Sequence, residues 1–326
     1  MSSPRAFAVT SRLALTTTAL MFALIVIGSV VRTTGSGLAC PDWPLCNGQL
    51  IPPMQFNIMI EWLHRLVALV VSLLLFATVA WIFARREVRA RLGGLAGLAV
   101  LLLFTQVLLG ALTVWKLLSP QVVSAHLGVA LMLFATLLTT ALAARARAEE
   151  GWSGAAGEAG SGGAPGKAGS GLAALFGTAT FLTFVQALLG GAVSTTGASL
   201  ACPDWPTCNG QWFPPLEGLV GLQVAHRWGA YALLAIMLLA MLRSRATADP
   251  VVRAGGAMLF ALTVTQAMFG ILNVLLGVPA WMSAVHLATA TGILAMGVAL
   301  TFLCAAPELS PARGAPGAAG SGEVLA

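Results

Sequence analysis

The chain has 326 residues and is 58% hydrophobic but only 9% charged. Soluble domains carry about 25% charged residues, so this composition excludes an ordinary water-soluble fold. The net charge of +6 comes from basic clusters at the ends of apolar segments and implies no nucleic-acid partner.

Eight apolar runs of bilayer-spanning length, about 20 residues each, follow one another along the chain. They lie at approximately 13–31, 58–83, 93–115, 121–143, 172–193, 218–242, 254–276 and 281–304. The first is not read as a cleavable signal peptide: no small-residue cleavage site follows it, and the next segment belongs to a repeat. Of the 17 Lys and Arg residues, 13 fall before the first span, after every even-numbered span, or between spans two and three and spans six and seven. The opposite loops hold only Arg32 and Lys116, and Arg65 and Arg227 lie inside spans. By the positive-inside bias, both termini are expected on the cytoplasmic face of a bacterial inner membrane.

The loop after the first span opens an internal repeat. Residues 33–53 read TTGSGLACPDWPLCNGQLIPP and residues 195–215 read TTGASLACPDWPTCNGQWFPP, with 16 of 21 positions identical. Each copy precedes three further spans, so each half has four and both point the same way. That predicts a pseudo-two-fold axis along the membrane normal. The predicted fold is all-α and integral to the membrane, with eight transmembrane helices in two tandem, pseudo-two-fold related four-helix bundles. The expected halves are 1–147 and 172–306. A flexible Gly/Ala/Ser-rich cytoplasmic linker is expected at 148–171 and a disordered cytoplasmic tail at 307–326.

Cys40 with Cys46, and Cys202 with Cys208, fall in the predicted outer loops, where an oxidising compartment permits disulfides. Each pair closes a short Cys-Pro-Asp-Trp-Pro-x-Cys loop. A structural staple, a cap over a cofactor edge and a thiol–disulfide redox role all stay open. Cys304 is left over. A finer echo recurs every 80 residues: Gln106 and Gly110, Gln186 and Gly190, Gln266 and Gly270, with Leu24 and Gly28 as a fourth member. Close helix packing explains it most simply.

The chain has four histidines, His64, His126, His226 and His286. Each lies about two turns into a span that runs inward, roughly 10 Å below the outer surface at about 1.5 Å per residue. Imidazole is the usual axial ligand for haem iron, so two pairs suggest two haem sites, each gripped between neighbouring helices. Pairing within halves, His64 with His126 and His226 with His286, fits the duplication better than pairing across them; the sequence leaves both open. A lone histidine would be read as an interhelical hydrogen bond. A zinc site would need a third ligand such as Glu61, which the second half lacks.

The halves differ at one telling position. Glu61 precedes His64 at i, i+3, on one helix face, whereas the matching residue before His226 is Gln223. A carboxyl group inside a span is a functional candidate by default. It can move a proton or stabilise positive charge, and Gln can do neither. The first half is therefore expected to do chemistry and the second to hold a fixed cofactor. A salt bridge from Glu61 to Arg65 is the plainer alternative. Arg65 and Arg227, each directly after a histidine, have two open roles: cations for haem propionates, or snorkelling to headgroups.

These residues carry a family resemblance. VRTTGSGLACPDWPLCNGQLIPP, the Glu61–His64 pair, SAHLG at 124–128, VAHRWG at 224–229 and SAVHLA at 283–288 resemble haem A synthase over nearly the whole chain. The resemblance implies an eight-helix membrane oxidoreductase that converts the C8 methyl of haem O to a formyl group by two hydroxylations, with water as oxygen source, for terminal oxidases. It implies haem B in the C-terminal half on His226 and His286. Haem O is the substrate in the N-terminal half, near His64 and His126, with Glu61 catalytic. It also implies a partnership with the farnesyl-transferring haem O synthase, because haem O is apolar. The sequence names no electron acceptor, and the lipid-facing surfaces allow homo-oligomers. Competing readings are a di-haem b-type, quinol-oxidising electron carrier, a membrane thiol oxidoreductase, and a non-catalytic assembly factor.

Overall fold

The computed structural model describes residues 3–53, 55–153 and 167–305. Eight helices fill all eight predicted spans: α1 (Ser3–Thr33), α2 (Phe56–Phe83), α3 (Arg86–Trp115), α4 (Pro120–Ser153), α5 (Lys167–Thr195), α6 (Gly218–Ser244), α7 (Pro250–Leu275) and α8 (Ala280–Ala305). Each is long and apolar enough to cross a membrane. A bilayer core offers no water to backbone amides, so only a helix that bonds its own backbone can run through it this way. Polar residues inside the helices follow the same rule. Thr10, Thr18, Thr78 and Thr263 each donate to the carbonyl four residues back, at 2.7–2.9 Å.

The helix ends differ from the sequence reading in three places. α1 begins at Ser3, about ten residues before the predicted start. It ends at Thr33 in a Schellman turn: Ser36 N–H donates to Val31 O at 2.9 Å, Gly35 N–H donates to Arg32 O at 3.2 Å, and Gly35 takes φ +68°. Arg32, assigned to a loop on the sequence, therefore stands on the last turn of α1. α4 runs to Ser153 and α5 starts at Lys167, so helix enters the 148–171 stretch from both sides. The remainder of that linker, and the 307–326 tail, lie outside the described residues.

Packing follows the duplication. α1 packs on α2 and α4, and α3 on α2 and α4, closing one four-helix ring; α5 to α8 close a second in the same order. The halves meet through α1 with α8, α4 with α5, and α4 with α8. Exchanging the halves swaps the first two contacts and maps the third onto itself, which is what a two-fold axis between α4 and α8 requires. Small residues permit the close approach: Leu188 Cδ2 lies 2.7 Å from where a Cβ on Gly128 would be, and Leu127 Cδ2 3.1 Å from one on Gly191. Ser124 and Thr195 hydroxyls meet across the interface at 3.2 Å.

The first ring is filled by Met21, Leu75, Leu131 and Phe134, and the second by Phe176, Met237, Leu259 and Leu300. Large apolar residues such as Leu101 and Phe104 face outward, as lipid contact demands. With no water-driven term between helices in lipid, these buried side chains stabilise mainly by packing. Leu75→Ala, at a site 0% exposed, should cost about 2 kcal/mol or more and lower the melting temperature in detergent. Leu101→Ala, 64% exposed, should leave it unchanged in the same melt.

Candidate functional site

The four histidines come to matched places. His64 and His226 each follow the start of α2 and α6 by eight residues, and His126 and His286 follow the start of α4 and α8 by six. Within each ring, α2 stands diagonally from α4, and α6 from α8. His64 and His126 thus share one ring, and His226 and His286 the other. All four line one cavity of about 1210 Å³ to which both halves contribute residues. Typical small-molecule sites are about 300–1,000 Å³, so this one exceeds a single ordinary ligand.

The 80-residue echo turns out to cradle these rings. An added Cβ would lie 3.1 Å from His64 Cε1 at Gly28, 3.2 Å from His126 at Gly110, 2.9 Å from His226 at Gly190 and 3.1 Å from His286 at Gly270. Each glycine is the space its imidazole occupies. The glutamines one turn earlier orient three of the rings. Gln106 Nε2 is 3.2 Å from His126 Nε2, Gln266 Nε2 is 3.2 Å from His286 Nε2, and Gln186 Nε2 is 3.0 Å from His226 Nδ1. Leu24 stands at the fourth place, and His64 has no such partner. These glutamines were visible in the sequence as a period, but their target was not.

Nitrogens Nδ1 of His64, His126 and His286 are buried without a hydrogen-bond partner. Orphaned polar atoms cost free energy unless something else takes them. Imidazoles with uncommitted nitrogens, packed on glycine and facing one cavity from opposite sides of a ring, fit a planar metal macrocycle. The zinc alternative fares differently. Among the described residues, no three His, Cys, Asp or Glu side chains converge on one point. The candidate third ligand, Glu61, is otherwise engaged.

Glu61 is 4% exposed. Its Oε2 accepts from the Cys40 amide at 2.8 Å and its Oε1 from the Arg65 guanidinium at 2.6 Å. The ion pair with Arg65 is therefore present, yet Glu61 still lines the cavity. Gln223 stands at the matching place, donates to Ser199 O at 3.3 Å, and leaves its own Oε1 without a partner.

Both cysteine pairs are disulfides, with Cα atoms 4.6 Å apart. Asp42 accepts from the Asn47 and Gly48 amides, and Asp204 from the Asn209 and Gly210 amides and the Thr207 hydroxyl. The Thr207 hydroxyl and then the Gly210 amide hold the Asp204 carboxyl down to about 2. Arg65 then ties the first loop down, donating to the carbonyls of Asp42, Leu45 and Cys40. Arg227 does the same at Thr207, Cys202 and Asp204. Of the five N–H donors on a guanidinium, Arg65 gives four to this loop and to Glu61. Neither the propionate nor the headgroup role foreseen these carbonyls, because the contact spans 20–25 residues and only folding brings it about.

Comparison with known proteins agrees with this layout. The family model for cytochrome oxidase assembly proteins, COX15-CtaA, matches residues 11–58 and 54–298. The heme A synthase of Symbiobacterium thermophilum is 33% identical over 79% of this chain and 83% of its own length. That of Methylobacterium sp. (strain 4-46) is 30% identical over 86% of this chain and 88% of its own, and that of Bacillus licheniformis 32% identical over 69% and 72%. The match spans both rings, both disulfide loops and all four histidines, and the chain belongs to the COX15-CtaA family of heme A synthases and cytochrome oxidase assembly proteins.

Proposed function

We propose that the protein is a haem A synthase that oxidises the C8 methyl of haem O to a formyl group in its N-terminal ring and carries haem B in its C-terminal ring. The observation that carries this division is the exchange of Glu61 for Gln223 at otherwise matched histidine sites in one cavity. His226 and His286 would hold haem B, their rings seated on Gly190 and Gly270; bound there, it would supply a one-electron redox centre. His64 and His126 would hold the substrate from its two faces.

The reaction adds one water to the methyl group and releases four protons and four electrons; the electrons pass to an acceptor. A base and a fixed negative charge near the methyl carbon both help such a step. Glu61 offers both, and its position is fixed by two donors, the Cys40 amide and Arg65. Thus the first disulfide loop acts as a positioning device for the carboxylate. In the second half the same loop meets an amide, which accepts no proton. The basic residues at the opposite helix ends support a reading in which this chemistry lies near the outer face of the cytoplasmic membrane, with both termini inside. Haem O would arrive from the farnesyl-transferring synthase within the bilayer.

Haem extracted from protein co-expressed with a source of haem O should contain haem B together with haem A or its hydroxymethyl precursor, by mass spectrometry. Haem B alone would instead make the protein a di-haem electron carrier. Glu61→Gln should lower haem A formation at least about 100-fold, the scale of a lost general base, while the second-half haem spectrum stays intact; loss of all haem from that variant would sink the assignment. Cys40→Ser with Cys46→Ser should reduce turnover by freeing Glu61, whereas Cys202→Ser with Cys208→Ser should reach the chemistry far less, compared in the same haem A assay.

A further inference from the structure

A second asymmetry lies on α1. Taking the repeat at its offset of 162 residues, Arg32 matches Ser194, and Ser29 matches Gly191. All four line the cavity. Ser29 is 3% exposed, and its hydroxyl has no partner, unlike the threonines that bond back to their own helix. Among the described residues the half-buried Arg32 side chain makes no hydrogen bond or ion pair. Arg65, by contrast, has given four donors away. The first half of the cavity therefore holds a free guanidinium and, at i−3 on the same helix face, a buried free hydroxyl, whereas the matching positions of the second half hold the uncharged Ser194 and Gly191.

Their height is set by the fold. Gly28, which receives His64, is four residues below Arg32 on α1, about 6 Å along the axis. An anion held by Arg32 would sit on the outer rim of the space that His64 faces. A guanidinium at membrane depth is costly without an anion, and its planar fork matches a carboxylate. Haem O carries two propionate carboxylates, and its C8 methyl shares a pyrrole ring with one of them. A cation that grips that propionate sets where the methyl points. A cofactor that is only held needs no such registration, in keeping with Ser194 and Gly191 in the second half.

We propose that Arg32 and Ser29 form a carboxylate subsite, present only in the N-terminal half, that binds a propionate of haem O and turns the C8 methyl toward Glu61. The subsite rests on the reading of that half as the haem O site. A phospholipid headgroup offers Arg32 the same anionic chemistry, so the test separates the two.

Full-length protein with haem B in place is titrated with haem O and with haem O whose propionates are both methyl esters, following the Soret band. The wild type should bind the free acid at least about tenfold more tightly than the diester, the scale of one charge-assisted hydrogen bond. Arg32→Gln should bind both with the affinity of the diester, Arg32→Lys should fall between, and Ser29→Ala should show a smaller loss. The haem B spectrum reports that each variant is folded. Equal affinity of the wild type for acid and diester, which needs no variant, would overturn the subsite, as would undiminished discrimination by Arg32→Gln. Loss of a co-purified anionic phospholipid from Arg32→Gln with discrimination unchanged would assign Arg32 to a headgroup and overturn it too. Failure of the wild type to bind either compound while it keeps haem B would bring down the reading of the N-terminal half, and the subsite with it.

Discussion

An imidazole on one membrane helix can enter a four-helix ring only where the neighbouring helix gives it room. In this protein that room is a missing side chain, four times over: Gly28, Gly110, Gly190 and Gly270 each face the Cε1 of a histidine on the next helix. Any Cβ there would lie within about 3 Å of the ring, closer than ordinary packing allows. The glycines therefore fix helix spacing and histidine direction together. The cavity, the diagonal pairing and the similarity of the two halves all depend on that contact.

Duplication provided two matched sites, and exchanges along the cavity wall, Leu24 against Gln186 among them, made them unequal. Glu61 against Gln223 gives one site a carboxylate. Arg32 against Ser194, and Ser29 against Gly191, give the same site a cation and a hydroxyl. Both charged differences that line the cavity, Glu61 and Arg32, fall on the same side, which favours the proposal that puts the chemistry there. The loops above the sites were not differentiated to the same degree. Both keep the disulfide, the aspartate that collects loop amides, and the arginine that holds the loop carbonyls. Only the first loop also reaches a carboxylate, through the Cys40 amide. A shared scaffold thus holds one local difference, a carboxylate against an amide, in otherwise matched surroundings.

Arg65 shows how a membrane protein uses charge sparingly. Next to His64, it could have been assigned to a cofactor anion or to lipid. In the fold it neutralises Glu61 and satisfies three loop carbonyls at once. A buried charge is stable only when its remaining hydrogen-bonding capacity is met, and a carbonyl-rich, disulfide-closed loop is well suited to meeting it. Among the described residues Arg32 has no comparable set of acceptors, and that difference between two arginines near one histidine could not be seen from their positions in the chain.

Much of this protein was legible in one dimension. Eight apolar runs, a 16-of-21 repeat and a basic bias at alternate ends are consequences of the bilayer acting on every segment separately. Hydropathy therefore locates spans without knowledge of their neighbours. The histidine heights and the Glu61–Gln223 exchange were legible for the same reason, since rise per residue is constant along a helix. What only the tertiary structure decided is what each polar group faces. Gln106, Gln186 and Gln266 were a period before they were partners of histidine, and Arg32 was a loop cation before the Schellman turn at Gly35 put it on α1 beside the cavity. Contacts between helices depend on rotation about each axis, and near-uniform apolar composition leaves that rotation unmarked in the sequence. Packing, through the positions of a few glycines, is what sets it.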